Sequence, residues 1–471
     1  MFATRPASAW LTILFWLLIS ISFGIASAGT IASPTTPSHA HQAAQSTGAV
    51  FYVSRDGTNS DGRSWATAWN ELDRINWAII QPGDTILIDG GDPWMFYFTT
   101  LTIGKSGVPG APITIRMAQE NGRNGRVLVY GGRPTTLPYC GQANYTEPTT
   151  GVRDIGIQVG SAGWIVIDGG KWRGITIYRH NVYGINFSRD AHNVIVRNVE
   201  ILDNGNAFRD SSGKWQPNQE GVNLSGINIT IERAIIHDNG QDAIQSAGGL
   251  RNFTLRSSWL YNSRGHPTES RPFNHCRHSD GIQIFGGGFQ SGVLIEDSVI
   301  GPGFLQGLLL GEGPVGEEPW AVVNDVTIRH TLLTRSSNSN ISGHDTKPAN
   351  WTLEHVTSYR DVDDDNNNVE FQGVNHVVRN SIFYGGMRLF LRESNLQLRA
   401  ENNCQWQIND GLDIGIKVDP RFMYIPWNNF ELQAGSPCVG KGSRITSTNT
   451  LFGLPGAIPR HFVFLPLTRG R

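Results

Sequence analysis

Val194-Ile195-Val196-Arg197-Asn198-Val199-Glu200-Ile201-Leu202 sets two short apolar phrases back to back with a single asparagine between them. In the first, an apolar residue, a variable one, a second apolar one and a charge follow in order, the period-2 pattern of a strand with one buried face. The phrase recurs as Ile113-Thr114-Ile115-Arg116, Ile165-Val166-Ile167-Asp168, Ile229-Thr230-Ile231-Glu232 and Phe253-Thr254-Leu255-Arg256. It continues as Val293-Leu294-Ile295-Glu296, Val326-Thr327-Ile328-Arg329, Trp351-Thr352-Leu353-Glu354 and His376-Val377-Val378-Arg379. With the third residue as marker, the intervals from Ile167 are 29, 35, 24, 40, 33, 25 and 25. A period near 24–25 with insertions predicts a solenoid whose every coil holds several short strands and turns. No helical segment of 10–15 residues separates the phrases, which argues against a doubly wound α/β sheet. A propeller blade needs about 40–45 residues, longer than most of these intervals.

The rest of the chain is consistent with one elongated domain. The 471 residues carry 38 Lys+Arg against 40 Asp+Glu, a formal charge of −2 that argues against a general nucleic-acid binder. The 55 glycines point to many turns and short strands. Arg5, the apolar run Trp10 to Ile25 and Ala26-Ser27-Ala28 read as a secretory signal over 1–28, with no membrane span once it is cleaved. Residues 29–49, rich in Ser, Thr, Pro and Ala, read as a disordered linker. The β domain is expected over 50–445 and a C-terminal tail over 446–471. Cys140, Cys276, Cys404 and Cys438 allow three pairings, of which Cys404 with Cys438 is the nearest in sequence. Trp65, Trp69, Leu72, Ile75, Trp77 and Ile79-Ile80 roughly follow helical spacing, so a helix is expected to cap the open end of the stack before Thr85-Ile86-Leu87-Ile88.

Four phrases near the start carry a family resemblance. They are Phe51-Tyr52-Val53-Ser54-Arg55-Asp56-Gly57, Ser64-Trp65-Ala66-Thr67-Ala68-Trp69, Pro82-Gly83-Asp84-Thr85-Ile86 and Gly110-Ala111-Pro112-Ile113-Thr114-Ile115. They resemble the opening of secreted right-handed parallel β-helix proteins of the pectate-lyase-like superfamily. Asp419-Pro420-Arg421-Phe422 and Phe430-Glu431-Leu432-Gln433-Ala434-Gly435-Ser436-Pro437-Cys438 resemble their closing phrase. The resemblance spans roughly 50–445. It implies an all-β fold, a right-handed parallel β-helix solenoid with the N-terminal capping helix. For chemistry it is broad, since that superfamily includes polysaccharide lyases, glycoside hydrolases and non-catalytic surface proteins.

A second repeat bears on function. Gln219-Glu220-Gly221-Val222-Asn223, Gln241-Asp242-Ala243-Ile244-Gln245 and Ser279-Asp280-Gly281-Ile282-Gln283 each give an acid, a small residue, an apolar residue and an amide. Aligned coils would stack Glu220, Asp242 and Asp280 about 5 Å apart, with Asn223, Gln245 and Gln283 beside them. Such a column can wrap Ca²⁺, which takes six to eight oxygens. It can also supply the acid and base of glycoside hydrolysis, or simply accept backbone N–H groups in a repeated Asx-like turn. The amides can meet sugar hydroxyls or form a structural ladder.

The insertion over 262–279 adds Arg264, His266, Arg271, His275, Arg277 and His278 against Glu269. Arg264 and Arg277 suit a uronate carboxylate, and His278 is its titratable candidate. Trp320, near Glu312, Glu317 and Glu318, offers a flat sugar platform; Lys347 or His344 offers a base. Asp363-Asp364-Asp365 reads as a solvated acidic turn or a Ca²⁺ site.

The calcium-dependent pectate lyases carry a Ser-Asp-Asp-Gly-Phe-Asp metal phrase, from which His278-Ser279-Asp280-Gly281-Ile282-Gln283 departs at two acids. No lysine lies between Lys214 and Lys347. Of the polygalacturonase-like Asn-Thr-Asp-Gly phrase only Asp280-Gly281 matches. The expectation is a secreted or cell-surface monomer acting on an anionic polysaccharide. A Ca²⁺-dependent lyase working by β-elimination leads, with Glu220, Asp242 and Asp280 on the metal. A glycoside hydrolase and a non-catalytic glycan-binding protein stand beside it.

Overall fold

The computed structural model describes residues 48–133, 152–205, 219–264, 279–286, 289–312, 322–343, 346–361, 366–390 and 396–447. The leader over 1–28 and most of the linker lie outside them. Residues 45–471 form one compact unit. Among the described residues the strands build three parallel sheets of 12, 12 and 11 strands. They are called here sheet I, sheet II and sheet III in the order the chain visits them, so that one coil reads Gly163–Asp168, Ile175–Tyr178, Tyr183–Phe187. The architecture is a right-handed parallel β-helix, all-β in its described residues.

The marker residues of the recurring phrase stack in register on sheet I. Ile167 pairs with Val196, Val196 with Ile231, Ile231 with Leu255 and Leu255 with Ile295. The column runs on through Ile328, Leu353 and Val378. All eight side chains point inward and are buried, each contributing roughly 1.5–3 kcal/mol by leaving water. The variable spacing in sequence therefore reflects what is inserted between strands. The strands themselves never slip.

In most coils from Asn198 onward sheet I passes to sheet II through a residue in the left-handed region, with Asn198, Arg233, Ser257, Asp297, His330 and Asn380 at φ of 49–58°. The earlier coils carry longer connections there, over 89–93, 118–125 and 169–174. Every internal stretch outside the described residues falls in the chain between sheets II and III or between sheets III and I.

The expected capping helix is absent: the two described helical elements are three-residue 3-10 turns, Leu72–Arg74 and Ile425–Trp427. The apolar residues over 65–80 are recruited one at a time. Trp69 pairs as a bridge with Val53 and stacks on Phe51 at 5.6 Å. Its amide donates to the Tyr52 carbonyl, and its own carbonyl accepts from Ser54. Glu71 then takes the amides of Phe98 and Leu72. A helix through 69–72 would forfeit these bonds to the first coil. Residues 48 and 49, expected in the linker, already belong to that coil: the Ala49 amide donates to Asp84 at 2.8 Å.

At the other end, residues 418–447 fold back over the outer face of sheet II. Phe422, Phe430 and Ile445 pack on Val299, Leu332, Tyr359 and Ile382. The Cys404–Cys438 disulfide, Cα–Cα 6.1 Å, and the Arg444–Asp297 pair hold the segment down.

Candidate functional site

Sheet III is the one sheet flanked on both sides by long connections. Five successive strands of it share one register. Ile157, Ile185, Val222, Ile244 and Ile282 face the core in one register, and the residue after each faces outward. That outward series is Gln158, Asn186, Asn223, Gln245 and Gln283, five amides in successive coils, of which the first three are half-buried and Gln245 and Gln283 only 4% and 8% exposed. The Asn186 amide donates to Gln158 at 2.9 Å, Asn223 to Asn186 at 2.6 Å and Gln245 to Gln283 at 2.8 Å. The series continues as Leu309, Ser342 and Glu370, where the Ser342 hydroxyl donates to Glu370 at 3.1 Å. Gln158 and Asn186 were not among the sequence candidates. The apolar–amide pairs Ile157-Gln158 and Ile185-Asn186, matching Val222-Asn223, are the signal that finds them.

The acids occupy one register two residues before the inward apolar position, at the corner where sheet II passes to sheet III. Glu220, Asp242 and Asp280 are each 0% exposed. Asp242 accepts the amide of Asp280 at 2.6 Å through one oxygen and the side chain of Gln245 at 2.6 Å through the other. Asp280 in turn accepts the amide of Gln306, which continues the register, at 2.8 Å. These carboxylates therefore link one coil to the next. The corner inside them is filled by asparagines: Asn204 accepts the amide of His180, and Asn239 that of Asn204, both at 3.1 Å. Gly184 and Gly221 sit opposite, where a Cβ would meet Asn204 or Asn239 at 2.9 or 2.7 Å. Among the described residues no three His, Cys, Asp or Glu come together to hold a metal ion.

Beside this corner lies a buried ionic cluster. Asp203 receives Arg133 at 2.9 Å, Arg179 at 3.1 Å and Arg264. Arg264 is 1% exposed and also donates to the carbonyls of Asn204 and Gly205, so its guanidinium turns into the protein. The three longest insertions between sheets II and III leave the described chain directly after Arg133, Gly205 and Arg264. Burial drives the His180 imidazole beneath them down to about 3, against a hydrogen bond with Asn204 and with help from Arg133.

On the outer face of sheet II, Glu200 holds Arg126 and Arg173 and lies 3.4 Å from His237. Burial pushes the Glu200 carboxyl up, yet His237 and the arginines outweigh it and hold it at about 2. Burial likewise lowers His237, but its bonds to Asp238 and Glu200 leave it above the ordinary value.

The other sequence candidates separate. Lys347 is exposed and follows the sheet III strand Ser339–Ser342, so it stands on the sheet I side of sheet III, two coils beyond Asp280. The acid column stands at the opposite edge. His278, Arg277, His344 and Trp320 lie outside the described residues, as do Asp363 to Asp365.

Comparison with known proteins agrees with the fold. Residues 149–300 match the family model described as a right handed beta helix region. No curated protein matches the chain. Among solved structures, pectate lyase Pel9A is similar over 84% of this chain and 91% of its own, at 16% identity and a TM-score of 0.52. A rhamnogalacturonan lyase is similar over 86% and 98%, at 12% identity and a TM-score of 0.47. An alginate lyase from Paenibacillus sp. str. FPU-7 is similar over 70% and 97%, at 14% identity and a TM-score of 0.39.

Proposed function

The chain matches the right-handed parallel β-helix, pectate-lyase-like superfamily without falling into one of its families, and from that premise we propose that it is a secreted, carbohydrate-active protein. A polysaccharide lies along the outer face of sheet III. The observation that carries this reading is the run of five outward amides, Gln158 to Gln283, on the sheet bordered by long connections on both edges. Side-chain amides both donate and accept, which suits saccharide hydroxyls. The nearby structures in the comparison include enzymes named as pectate, rhamnogalacturonan and alginate lyases. The chemistry in this reading is β-elimination on a uronate-containing chain. It requires a base for the proton α to the carboxylate, and Lys347, exposed at the edge of the sheet, takes that role. Ca²⁺ bound nearby would neutralise the uronate and acidify that proton. Chelation tests that dependence.

The test is incubation with polygalacturonate and with alginate, following unsaturated-uronate absorbance and reducing ends together. Gln245→Leu/Gln283→Leu should raise KM about tenfold or more, and Lys347→Ala should remove the absorbance signal. Reducing ends without absorbance would replace elimination by hydrolysis. Saccharide binding that ignores the glutamine pair would overturn the siting on sheet III.

A further inference from the structure

The C-terminal segment covers only the later coils of sheet II. In the earlier coils the same outer face presents rings. Trp94 and Phe98 are 48% and 42% exposed, although they stand on and just after the strand Trp94–Tyr97. Phe96, Tyr130 and Tyr178 lie between and beyond them and are partly buried. Centroids fall 6.0 Å apart for Phe96–Phe98, 6.0 Å for Phe98–Tyr130 and 5.0 Å for the stacked Tyr130–Tyr178 pair. Because Tyr130 and Tyr178 pair in register, the strip climbs the axis by one ring per coil, a rise of about 4.8 Å.

Among the described residues, arginines outnumber carboxylates beside this strip. Arg126 and Arg173 converge on Glu200, and Arg133, Arg179 and Arg264 on Asp203. With Arg55 on Glu71, six guanidinium groups meet three carboxylates among the described residues. The carboxylates are buried beneath, while Arg126, Arg173 and Arg179 are partly exposed at the surface. Arg179 lies over Tyr178 at 5.8 Å and Arg55 over Phe98 at 5.3 Å. Arg153, exposed, donates to the Phe98 carbonyl. Rings that accept C–H faces, bordered by forked cations, fit a sugar chain carrying carboxylates. The same positive excess disfavours a second copy of this chain, which would bring like charge to like.

We infer that the outer face of sheet II, from Trp94 and Phe98 to Tyr178, is a second binding surface, and that it holds an acidic polysaccharide. It lies on a different sheet from the amide run, so it anchors the polymer and takes no part in cleavage. Retention of the full chain on immobilised polygalacturonate, with dextran as the neutral control, tests this directly. Wild-type protein should be held on polygalacturonate, lose its grip as salt rises, and pass through dextran. Trp94→Ala/Phe98→Ala should bind about tenfold more weakly with an unchanged melting temperature, and Arg153→Gln should weaken binding in the same direction. Gln245→Leu/Gln283→Leu should keep this retention, so a failure of the sheet III reading does not disguise a failure here. Equal retention of the ring variant and the wild type would overturn the proposal. So would equal binding to dextran, or a preference for anionic phosphatidylserine vesicles that depends on the same rings.

Discussion

Asp203→Asn is the substitution that most directly tests how the insertions at the edge of sheet III are rooted. The carboxylate is 3% exposed and takes Arg133 and Arg264 on one oxygen and Arg179 on the other. Arg133 and Arg264 are themselves 0% and 1% exposed. Asparagine preserves the shape but leaves two fully buried guanidinium charges with backbone carbonyls as their main acceptors among the described residues. A pair of unit charges about 4 Å apart interacts by about 4 kcal/mol at an effective dielectric of 20. Breaking a buried pair from one side costs about 3–5 kcal/mol after relaxation, and that is the loss expected here. Guanidinium-chloride unfolding measures the loss, and amide exchange at Arg133, Asn204 and Arg264 should show it concentrated at the roots. Adding Arg264→Leu removes one of the stranded charges and should recover part of it, a coupling of about 0.5–3 kcal/mol. A loss under about 1 kcal/mol for Asp203→Asn alone would refute the reasoning, because the cluster would then be solvated in practice.

Three further outcomes are expected. His180 titrates near 3 when folded and near 6.5 when unfolded, so its neutral form contributes stability above pH 6.5 that is lost as pH falls toward 3; His180→Gln should flatten the pH dependence of the unfolding midpoint across that window. Cys404→Ala/Cys438→Ala opens a loop of sequence separation 34 and should cost about 3–4 kcal/mol, seen as faster amide exchange at Val299, Leu332 and Ile382. Asp280→Asn keeps an oxygen for the Gln306 amide and should fold like the wild type, whereas Asp280→Ala strands that buried amide at about 1–3 kcal/mol. If Asp280→Asn also retains full turnover, the Asp280 carboxylate is structural alone.

The sequence made the coil legible because strand registry leaves a period-2 mark that insertions cannot erase. Every marker from Ile167 to Val378 pairs with the next in the order the phrases occur. The capping helix was misread for a related reason. Trp65, Trp69 and Leu72 recur at helical spacing, but apolar residues three and four apart also arise where successive turns each bury one side chain. Periodicity is blind to that difference, and the Ser54, Tyr52 and Phe98 main-chain partners that decide it lie outside the periodic stretch. Arg264 shows the same limit for charge. Its neighbours in sequence are cationic and suggest an anionic ligand, yet its partner Asp203 lies 61 residues earlier, a pairing no local pattern reveals.

Hydrogen-bond partners sort the polar residues of this solenoid into two kinds. At the corner between sheets II and III, the buried side chains of Asp242, Asp280, Asn204 and Asn239 each satisfy a main-chain amide of an adjoining coil. Such groups are held in place because leaving an amide unpaired in the interior costs about 1–3 kcal/mol. One residue beyond the inward apolar position, the amides of sheet III bond to one another, and Gln245 also to Asp242, leaving the main chain to its own ladder. Exchanging a neighbouring amide for a sugar hydroxyl there costs the fold little, since donor and acceptor are both replaced. Asp242 and Asp280 therefore tie adjoining coils together, and on the reading proposed above the amide run is where a polymer would lie.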